Sequence, residues 1–209
     1  MNLLIIGATG GTGQQLTTQA LARGHRVTAL ARRVPAEPPR AGLTWTAGDV
    51  RQPASLDRAM PGQDAVLSAL GHKRWLGPTR ILSQGTANLI AAMERHAVRR
   101  LICETALGIG DSWWQMGLYY TLFVRPGILP FYFRDKVRQE AVIRASSLDW
   151  TIVRPGALTN GAPRSRYRTG PQAGHWLWTV RISRADVAAF MLDQLTDPTY
   201  LRATVGVAD

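Results

Sequence analysis

The segment Leu3-Leu4-Ile5-Ile6-Gly7-Ala8-Thr9-Gly10-Gly11-Thr12-Gly13 decides the fold. Its four apolar residues have the length of a buried strand and run directly into a glycine-rich turn, which a helical pattern follows. Glycine lets the chain turn tightly, approach a ligand with its backbone and pack the helix closely on the strand. The helix N-terminus adds N–H groups and a positive dipole, so the segment predicts a pyrophosphate site. The residues predicted to contact that ligand are Gly7, Thr9, Gly10, Gly11, Thr12 and Gly13.

Strand-length apolar runs alternate with helical patterns beyond this segment. The predicted strands are 3–6, 27–30, 43–47, 65–70, 100–103 and 150–153, and the predicted helices are 13–23, 53–60, 80–96, 135–146 and 183–195. This alternation indicates βαβ units, and right-handed crossovers then give a doubly wound α/β fold with a parallel sheet and helices on both faces. Residues 1–209 are interpreted as one domain, in which residues 155–209 form a small substrate-side appendage and Ser183 is an N-cap.

Composition and net charge limit the classes of partner that can be predicted for this protein. The chain has 209 residues, 45% of them hydrophobic, and a formal net charge of +11. The positive excess either favours an anionic partner or reflects a preference for arginine on a solvated surface. Because no block of five basic residues occurs, nucleic-acid binding is not predicted.

Cysteine content and hydropathy bear on the compartment. The single cysteine, Cys103, excludes an intramolecular disulfide and a Cys/His metal framework, so no metal site is predicted and a reducing compartment is favoured. The apolar run at the N-terminus is too short for a signal peptide. The most hydrophobic window, residues 113–124, is shorter than the ~20 residues that span a bilayer. We therefore expect a cytoplasmic protein without stable membrane insertion.

The end of the second predicted strand indicates which dinucleotide would bind. About 20 residues past the glycine loop, NAD sites place an acidic residue that binds the ribose 2′-hydroxyl. This chain has Arg32 and Arg33 there. A guanidinium pair suits a 2′-phosphate, so NADP(H) is the predicted cofactor. The alternative is a pair of solvated arginines.

Further cofactor contacts are predicted where the third and fourth strands end, because ligands of such folds bind outside the carboxyl ends of the strands. Asp49 is expected either to accept a hydrogen bond from the adenine amino group or to act as a turn or cap residue. The other positions at these two strand ends are Val50, Ala69, Leu70, Gly71, His72 and Lys73.

The chain resembles the atypical short-chain dehydrogenase/reductases of the NAD(P)-binding, NmrA-like kind, near the branch of the biliverdin-IXβ/flavin reductases. The matching segments are residues 7–13, 48–50, 62–66, 85–93, 107–112 and 149–156. The resemblance implies a Rossmann-type NADPH enzyme. It also implies that Thr105 is the active hydroxyl after the fifth strand, where serine is more usual, and that Pro155 and Gly156 approach the nicotinamide. Glu104 beside Thr105 departs from the family pattern.

Tyr132 and Lys136 form a Y-x-x-x-K pair. Residues four apart share a helix face, and an ammonium close to a phenol favours phenolate. In short-chain dehydrogenases this is the catalytic pair, in which the tyrosine donates a proton as hydride arrives and the lysine holds the nicotinamide ribose. The flavin-reductase branch works without the tyrosine, so Tyr132 is alternatively part of an aromatic cluster. Glu140 is interpreted as the i+4 partner of Lys136.

Aromatic and apolar residues crowd between the fifth strand and this helix, in residues 113–133. They form either a lid over a bulky apolar substrate or a buried core or dimer face, and contact with a membrane surface is a third alternative. Trp176 and Trp178 are expected to close the same pocket.

The predicted function is an NADPH-dependent oxidoreductase that transfers hydride to a hydrophobic or aromatic small molecule such as a ketone, quinone, flavin or tetrapyrrole. The alternative is a non-catalytic regulatory protein of the NmrA-like kind that senses NADP(H). An isomerase or dehydratase is disfavoured, because the C-terminal portion is small for a sugar-nucleotide site. The sequence does not decide whether the protein forms a homodimer.

Overall fold

The computed structural model describes residues 1–72, 77–128 and 130–209. The strands are β1 (Asn2–Ile6), β2 (Arg26–Ala31), β3 (Leu43–Ala47), β4 (Ala65–Ser68), β5 (Arg100–Glu104), β6 (Asp149–Pro155), β7 (Ala157–Thr159), β8 (Arg168–Gly170), β9 (Arg181–Ser183) and β10 (Ala203–Ala208). The α-helices are α1 (Gly11–Ala22), α2 (Pro53–Ala59), α3 (Ile81–Arg95), α4 (Pro130–Arg144) and α5 (Arg184–Asp193). A short 3₁₀ helix (Gly110–Ser112) and a π-helix (Tyr120–Ile128) lie between β5 and α4.

Eight strands form one sheet in the order β3-β2-β1-β4-β5-β6-β10-β8. All pairings are parallel except β10 with β8. The order reverses between β1 and β4, so the carboxyl ends of these strands open the crevice in which doubly wound folds bind ligands. The predicted α/β fold class is confirmed.

Helices cover both faces of the sheet and complete two cores. Helices α1 and α5 pack together on one face, where Leu16 and Met191 are fully buried. Helices α2, α3 and α4 cover the other face around Leu56 and Met93. Since both faces are covered, the strands are continuous apolar runs such as Leu3 to Ile6.

The structure extends the predicted elements. Helix α4 begins at Pro130 rather than at residue 135, because proline suits a first helical position, and this puts Tyr132 and Lys136 on one helix. Strands β7, β8, β9 and β10 were not predicted, since the first three have only three residues each and β10 consists mostly of small residues. Ser183 is confirmed as the N-cap of α5, where its Oγ accepts a hydrogen bond from the Asp186 backbone N–H at 2.9 Å. Lys73 lies outside the described residues.

Among residues 1–72, 77–128 and 130–209, none of the helices combines the length and the apolar character that a bilayer crossing requires.

Candidate functional site

The glycine loop joins β1 to α1 at the topological switch point. Gly7 has φ +78°, and a Cβ on it would lie 2.4 Å from the Ala69 carbonyl oxygen. A Cβ on Gly13 would lie 2.1 Å from the Gly7 carbonyl oxygen. The Gly10 N–H donates to that same oxygen at 2.9 Å, which closes the turn before α1. Side chains are therefore excluded between the loop, α1 and the segment after β4, and this close packing of helix on strand is one of the roles of glycine in a dinucleotide-binding turn.

The N-terminus of α1 carries positive potential beyond its own dipole. Within the described residues, no side chain caps this helix at Gly10. The Arg184 side chain crosses from α5 and packs on Gly11, where an added Cβ would lie 2.7 Å from its Nε. Its Nη1 donates to Asn160 Oδ1 at 2.6 Å, which fixes the guanidinium. Sequence reasoning missed Arg184, because only the packing of α5 on α1 brings it to the loop.

A buried carboxyl lies behind the loop. Glu104 ends β5 and is 6% exposed, and its Oε1 accepts a hydrogen bond from Thr12 Oγ1 at 3.1 Å. Burial raises the pKa of this carboxyl above its usual range, opposed by the positive charge of Lys136 and by the Thr12 hydrogen bond. The Thr12 hydroxyl proton is therefore directed at Glu104, which leaves the backbone N–H as the Thr12 donor for a ligand.

Replacing Glu104 with glutamine is expected to stabilise the protein in a pH-dependent way. A carboxyl whose pKa is higher in the folded chain binds protons more tightly there, so stability falls as pH rises from the usual glutamate range through the folded pKa. The variant keeps the acceptor for Thr12 without the charge. Urea unfolding is expected to show equal stability near pH 4 and a gain of about 1 kcal/mol near pH 7. Glu94→Gln, at an exposed site, is the matched control; a pH-independent difference would contradict the account.

Lys136 supplies a buried ammonium at the same edge of the sheet. Its side chain lies on α4 and is 2% exposed, and Nζ donates to the Glu104 carbonyl oxygen at 3.1 Å and to the Leu70 carbonyl oxygen at 3.4 Å. These carbonyls belong to the carboxyl ends of β5 and β4. The ammonium is thus held where the crevice of a doubly wound sheet opens.

Asp135 fixes the position of α4. Its carboxylate caps α3, accepting hydrogen bonds from the backbone N–H groups of Leu82 at 2.9 Å and Ser83 at 3.2 Å. Thr79 Oγ1 donates to the same carboxylate at 3.2 Å. Because the N-terminus of a helix attracts a carboxylate, this contact ties α4 to α3. It thereby fixes the position of Lys136 relative to the strand ends.

Tyr132 lies one turn before Lys136, as the spacing predicts. Lys136 Nζ is 5.8 Å from the centre of the Tyr132 ring and lies over its face. The ring meets His72 edge-on at 5.1 Å, and His72 Nε2 lies 3.3 Å from Thr79 Oγ1. The tyrosine is partly exposed, whereas the lysine is buried. The two side chains are therefore brought together.

Thr105 belongs to a buried ionic network rather than to an open surface. Its Oγ1 donates to Glu140 Oε1 at 2.8 Å. Arg154 also contacts Glu140, through Nε at 2.9 Å and Nη2 at 2.7 Å, and Arg144 donates to it at 2.9 Å. The interpretation of Glu140 as the partner of Lys136 is wrong, because the carboxylate points at Arg154 on β6.

The adenosine end of the crevice is more exposed. Arg32 and Arg33 follow β2 and are both exposed. Asp49 accepts hydrogen bonds from the Arg51 backbone N–H at 2.9 Å and from Arg51 Nη2 at 2.8 Å. These bonds hold the pKa of Asp49 below its usual value, and the charge of Arg32 contributes. Asp49 thus shapes the turn that follows β3, which is one of the two predicted roles, and sequence reasoning missed its partner Arg51.

The remaining predicted contacts lie near the carboxyl ends of β3, β4 and β6. Val50 is buried and fills the space above Gly85, and its carbonyl oxygen accepts from Asn88 Nδ2 at 3.0 Å. Gly71 has open space where a Cβ would be. Pro155 ends β6 and Gly156 follows it. The Leu107 N–H donates to the Pro155 carbonyl oxygen, and the Gly156 N–H donates to the Val207 carbonyl oxygen.

The cavity beside α4 opens on a different face from Tyr132 and Lys136. It has a volume of about 550 Å³ and is lined by Ile109, Thr121, Pro130, Phe133, Arg134, Val137 and Arg138. At 100° per residue, Val137 points about 140° away from Tyr132. Tyr132 and Lys136 are not among the residues that line this cavity.

The chain is similar in sequence to known proteins. The sequence profile of the NAD(P)H-binding family matches residues 7–198. An uncharacterized chloroplastic protein of Arabidopsis thaliana is 27% identical over 205 residues, which cover 92% of this chain and 71% of that protein. The chain spans only about a third of the length of two further curated relatives, which match about half of it.

Solved structures share the whole fold. A short-chain dehydrogenase/reductase of Veillonella parvula in complex with NADP superimposes with a TM-score of 0.83 at 22% identity, covering 100% of this chain and 94% of that one. ChuY, an anaerobilin reductase of Escherichia coli O157:H7, has a TM-score of 0.79 at 25% identity and covers 99% and 96%. The resemblance to atypical short-chain dehydrogenase/reductases is confirmed, and the chain belongs to the NAD(P)H-binding family.

Proposed function

We propose that this protein is an NADPH-dependent reductase that transfers hydride to a hydrophobic or aromatic acceptor such as a ketone, quinone, flavin or tetrapyrrole. The observation that carries the proposal is the buried Lys136 ammonium at the carboxyl ends of β4 and β5, with Tyr132 beside it. A buried cation held by two carbonyl oxygens suits the hydroxyl groups of a nicotinamide ribose.

Each part of the crevice has a role in this proposal. The backbone N–H groups at the start of α1, with Arg184 beside them, bind the pyrophosphate. Arg32 and Arg33 bind the 2′-phosphate. When bound, NADPH supplies the hydride. Tyr132 donates a proton to the acceptor oxygen when the acceptor is a carbonyl.

Two relatives support the reaction class. The Veillonella protein binds NADP, and ChuY is a reductase. The alternative, an NADP(H)-sensing regulatory protein, is favoured by the bond from Thr105 to Glu140, which turns that hydroxyl away from an acceptor.

A substrate screen separates the two functions. NADPH oxidation by the purified chain is followed at 340 nm against quinones, flavins, aldehydes and ketones. A reductase oxidises NADPH with at least one acceptor class. Tight NADPH binding with no turnover against any class would overturn the proposal in favour of the sensor.

Changing Arg32 to aspartate is expected to separate the two coenzymes. The substitution removes a charge-assisted hydrogen bond to a phosphate dianion and adds repulsion, so we expect the NADPH Kd to rise about 30-fold or more. The NADH Kd is expected to change by less than about threefold, because NADH has no 2′-phosphate. Calorimetric titration measures both. Arg58→Asp, on the exposed face of α2, is the matched control, and equal losses for both coenzymes would remove Arg32 from phosphate recognition.

Changing Tyr132 to phenylalanine is expected to lower the kcat for a carbonyl acceptor by about 10²-fold, a typical contribution of a general acid. The NADPH Kd should stay within about twofold, because the ring and its contacts remain. Tyr167→Phe is the control, since its ring packs against Phe190 of α5, on the opposite side of the sheet from α4. Unchanged carbonyl turnover in the Tyr132 variant would remove it from the mechanism.

A further inference from the structure

The segment between β5 and α4 exposes an unusual amount of aromatic surface. Together with residues 176–178 it forms a set of large apolar side chains that are each more than a third exposed, here called the aromatic patch. Its members are Trp113, Trp114, Leu118, Tyr119, Leu122, Phe123, Trp176, Leu177 and Trp178. Contiguous exposed apolar surface of this kind marks an interaction site.

Backbone contacts make the aromatic patch one surface. The Leu118 N–H donates to the Leu177 carbonyl oxygen at 3.3 Å. A Cβ on Gly117 would lie 2.5 Å from the Trp178 carbonyl carbon, so the two segments touch. The Tyr119 and Phe123 rings lie 5.8 Å apart. The patch is therefore continuous although its two segments are far apart in sequence.

Arginines border the aromatic patch on two sides. Arg134 and Arg138 line the cavity that also contains Thr121. Arg164, Arg168 and Arg181 line a second cavity together with Trp178.

Few acidic groups oppose these arginines. Residues 112–134 and 157–180 contain no acidic residue. Of the acidic groups that flank these segments, Asp209 accepts from Arg164 Nη1 at 3.3 Å and so offsets one of these arginines, whereas Asp111 pairs with the buried Arg154. The surroundings of the patch are positive.

We propose that the aromatic patch docks this protein on the surface of an anionic lipid bilayer. Tryptophan and tyrosine favour the level of lipid headgroups, where their rings are buried and their polar edges stay wet. Arginines beside such a patch are attracted to anionic headgroups. A second copy of the chain fits the surface less well, because each copy carries a net charge of +11 and brings the same arginines to the contact. The proposal does not depend on the proposed reductase function.

Vesicle binding by the full chain tests the proposal. The protein is incubated with vesicles of phosphatidylcholine alone or with added phosphatidylglycerol, and binding is followed by co-sedimentation and tryptophan emission. We expect binding to the anionic vesicles with a blue shift of the emission, and weaker binding as salt is raised. The Trp176→Ser, Trp178→Ser double variant should bind about tenfold or more weakly, because it removes the buried aromatic area.

Matched variants separate the contribution of the aromatic patch to vesicle binding from the contribution of the arginine charges. Leu201→Ser changes an apolar side chain that is 45% exposed and lies outside the patch, so its affinity should equal that of the unchanged protein. Arg181→Gln, beside Trp178, should weaken anionic binding about fivefold, whereas Arg26→Gln, at the start of β2, should leave it unchanged. Circular dichroism and thermal melting establish that each variant is folded.

Three results would overturn the proposal. The first is no binding to anionic vesicles by the folded protein. The second is equal binding to neutral and anionic vesicles, which would remove the role of the arginines. The third is a dimer in sedimentation analysis that the Trp176, Trp178 double variant converts to monomer, which would assign the patch to a second copy.

Discussion

Alanine at position 13 is expected to weaken NADPH binding by about 10²-fold or more. The added Cβ would lie 2.1 Å from the Gly7 carbonyl oxygen and 2.7 Å from the Ala8 Cα. Both are backbone atoms of the loop that must cradle the pyrophosphate, so the loop has to move. A displacement of about 1 Å in a positioned site is enough for a loss of this size. Calorimetric titration of the folded variant measures it.

Gly161→Ala is the matched control for this change. Gly161 is exposed, and a Cβ there would meet its nearest neighbour, Thr159 Oγ1, at 3.7 Å, an ordinary contact. The affinity of the Gly161→Ala variant for NADPH should therefore be unchanged. A folded Gly13→Ala protein that binds NADPH as tightly as this control would show that the loop does not hold the cofactor.

Alanine at position 140 is expected to lower the free energy of unfolding by about 3–5 kcal/mol, the usual cost of breaking a buried ion pair. Glu140 and Arg154 have side chains only 2% and 4% exposed. Removing the carboxylate leaves the Arg154 guanidinium buried without this partner and takes the acceptor from Thr105. Urea unfolding followed by circular dichroism measures the loss.

Arg144→Ala tests whether burial is the cause. Arg144 pairs with the same carboxylate, but its side chain is 44% exposed, so its removal should cost less than about 1 kcal/mol. Comparable losses in the Glu140 and Arg144 variants would show that the buried Arg154 contact contributes little.

The fold was predictable because its signals are local. The segment around Gly7 and Gly13 contains a strand, a turn and a helix start in one continuous stretch, and the strand runs beyond it repeat the βα pattern. The position of Lys136 beside Tyr132 was also predictable from the sequence, since a spacing of four residues is a helical signal.

The errors and omissions in the site have a common physical origin, since they depend on contacts between distant segments. Glu140 was matched to Lys136 by helical spacing, but Arg154 on β6 approaches it across the sheet. Arg184 reaches Gly11 only because α5 packs on α1, and no spacing in the sequence connects them. Local periodicity contains no information on such pairs.

The aromatic segment was ambiguous for a different reason. Composition predicts that residues 113–133 are apolar, but not which side chains face solvent. Phe133 is buried against Tyr120, whereas Tyr119 is 65% exposed and Phe123 is 63% exposed. A π-helix distributes side chains with neither an α-helical nor a strand period, so the exposed face could not be derived from spacing.

The central claim is that a phosphorylated dinucleotide binds where β1 meets α1. Isothermal titration of the purified chain with NADPH, combined with a thermal melt at saturating coenzyme, tests it most directly. The account predicts one bound NADPH per chain and a melting temperature that rises with coenzyme concentration. Neither heat nor a thermal upshift, with NADPH and with NADH, would contradict it.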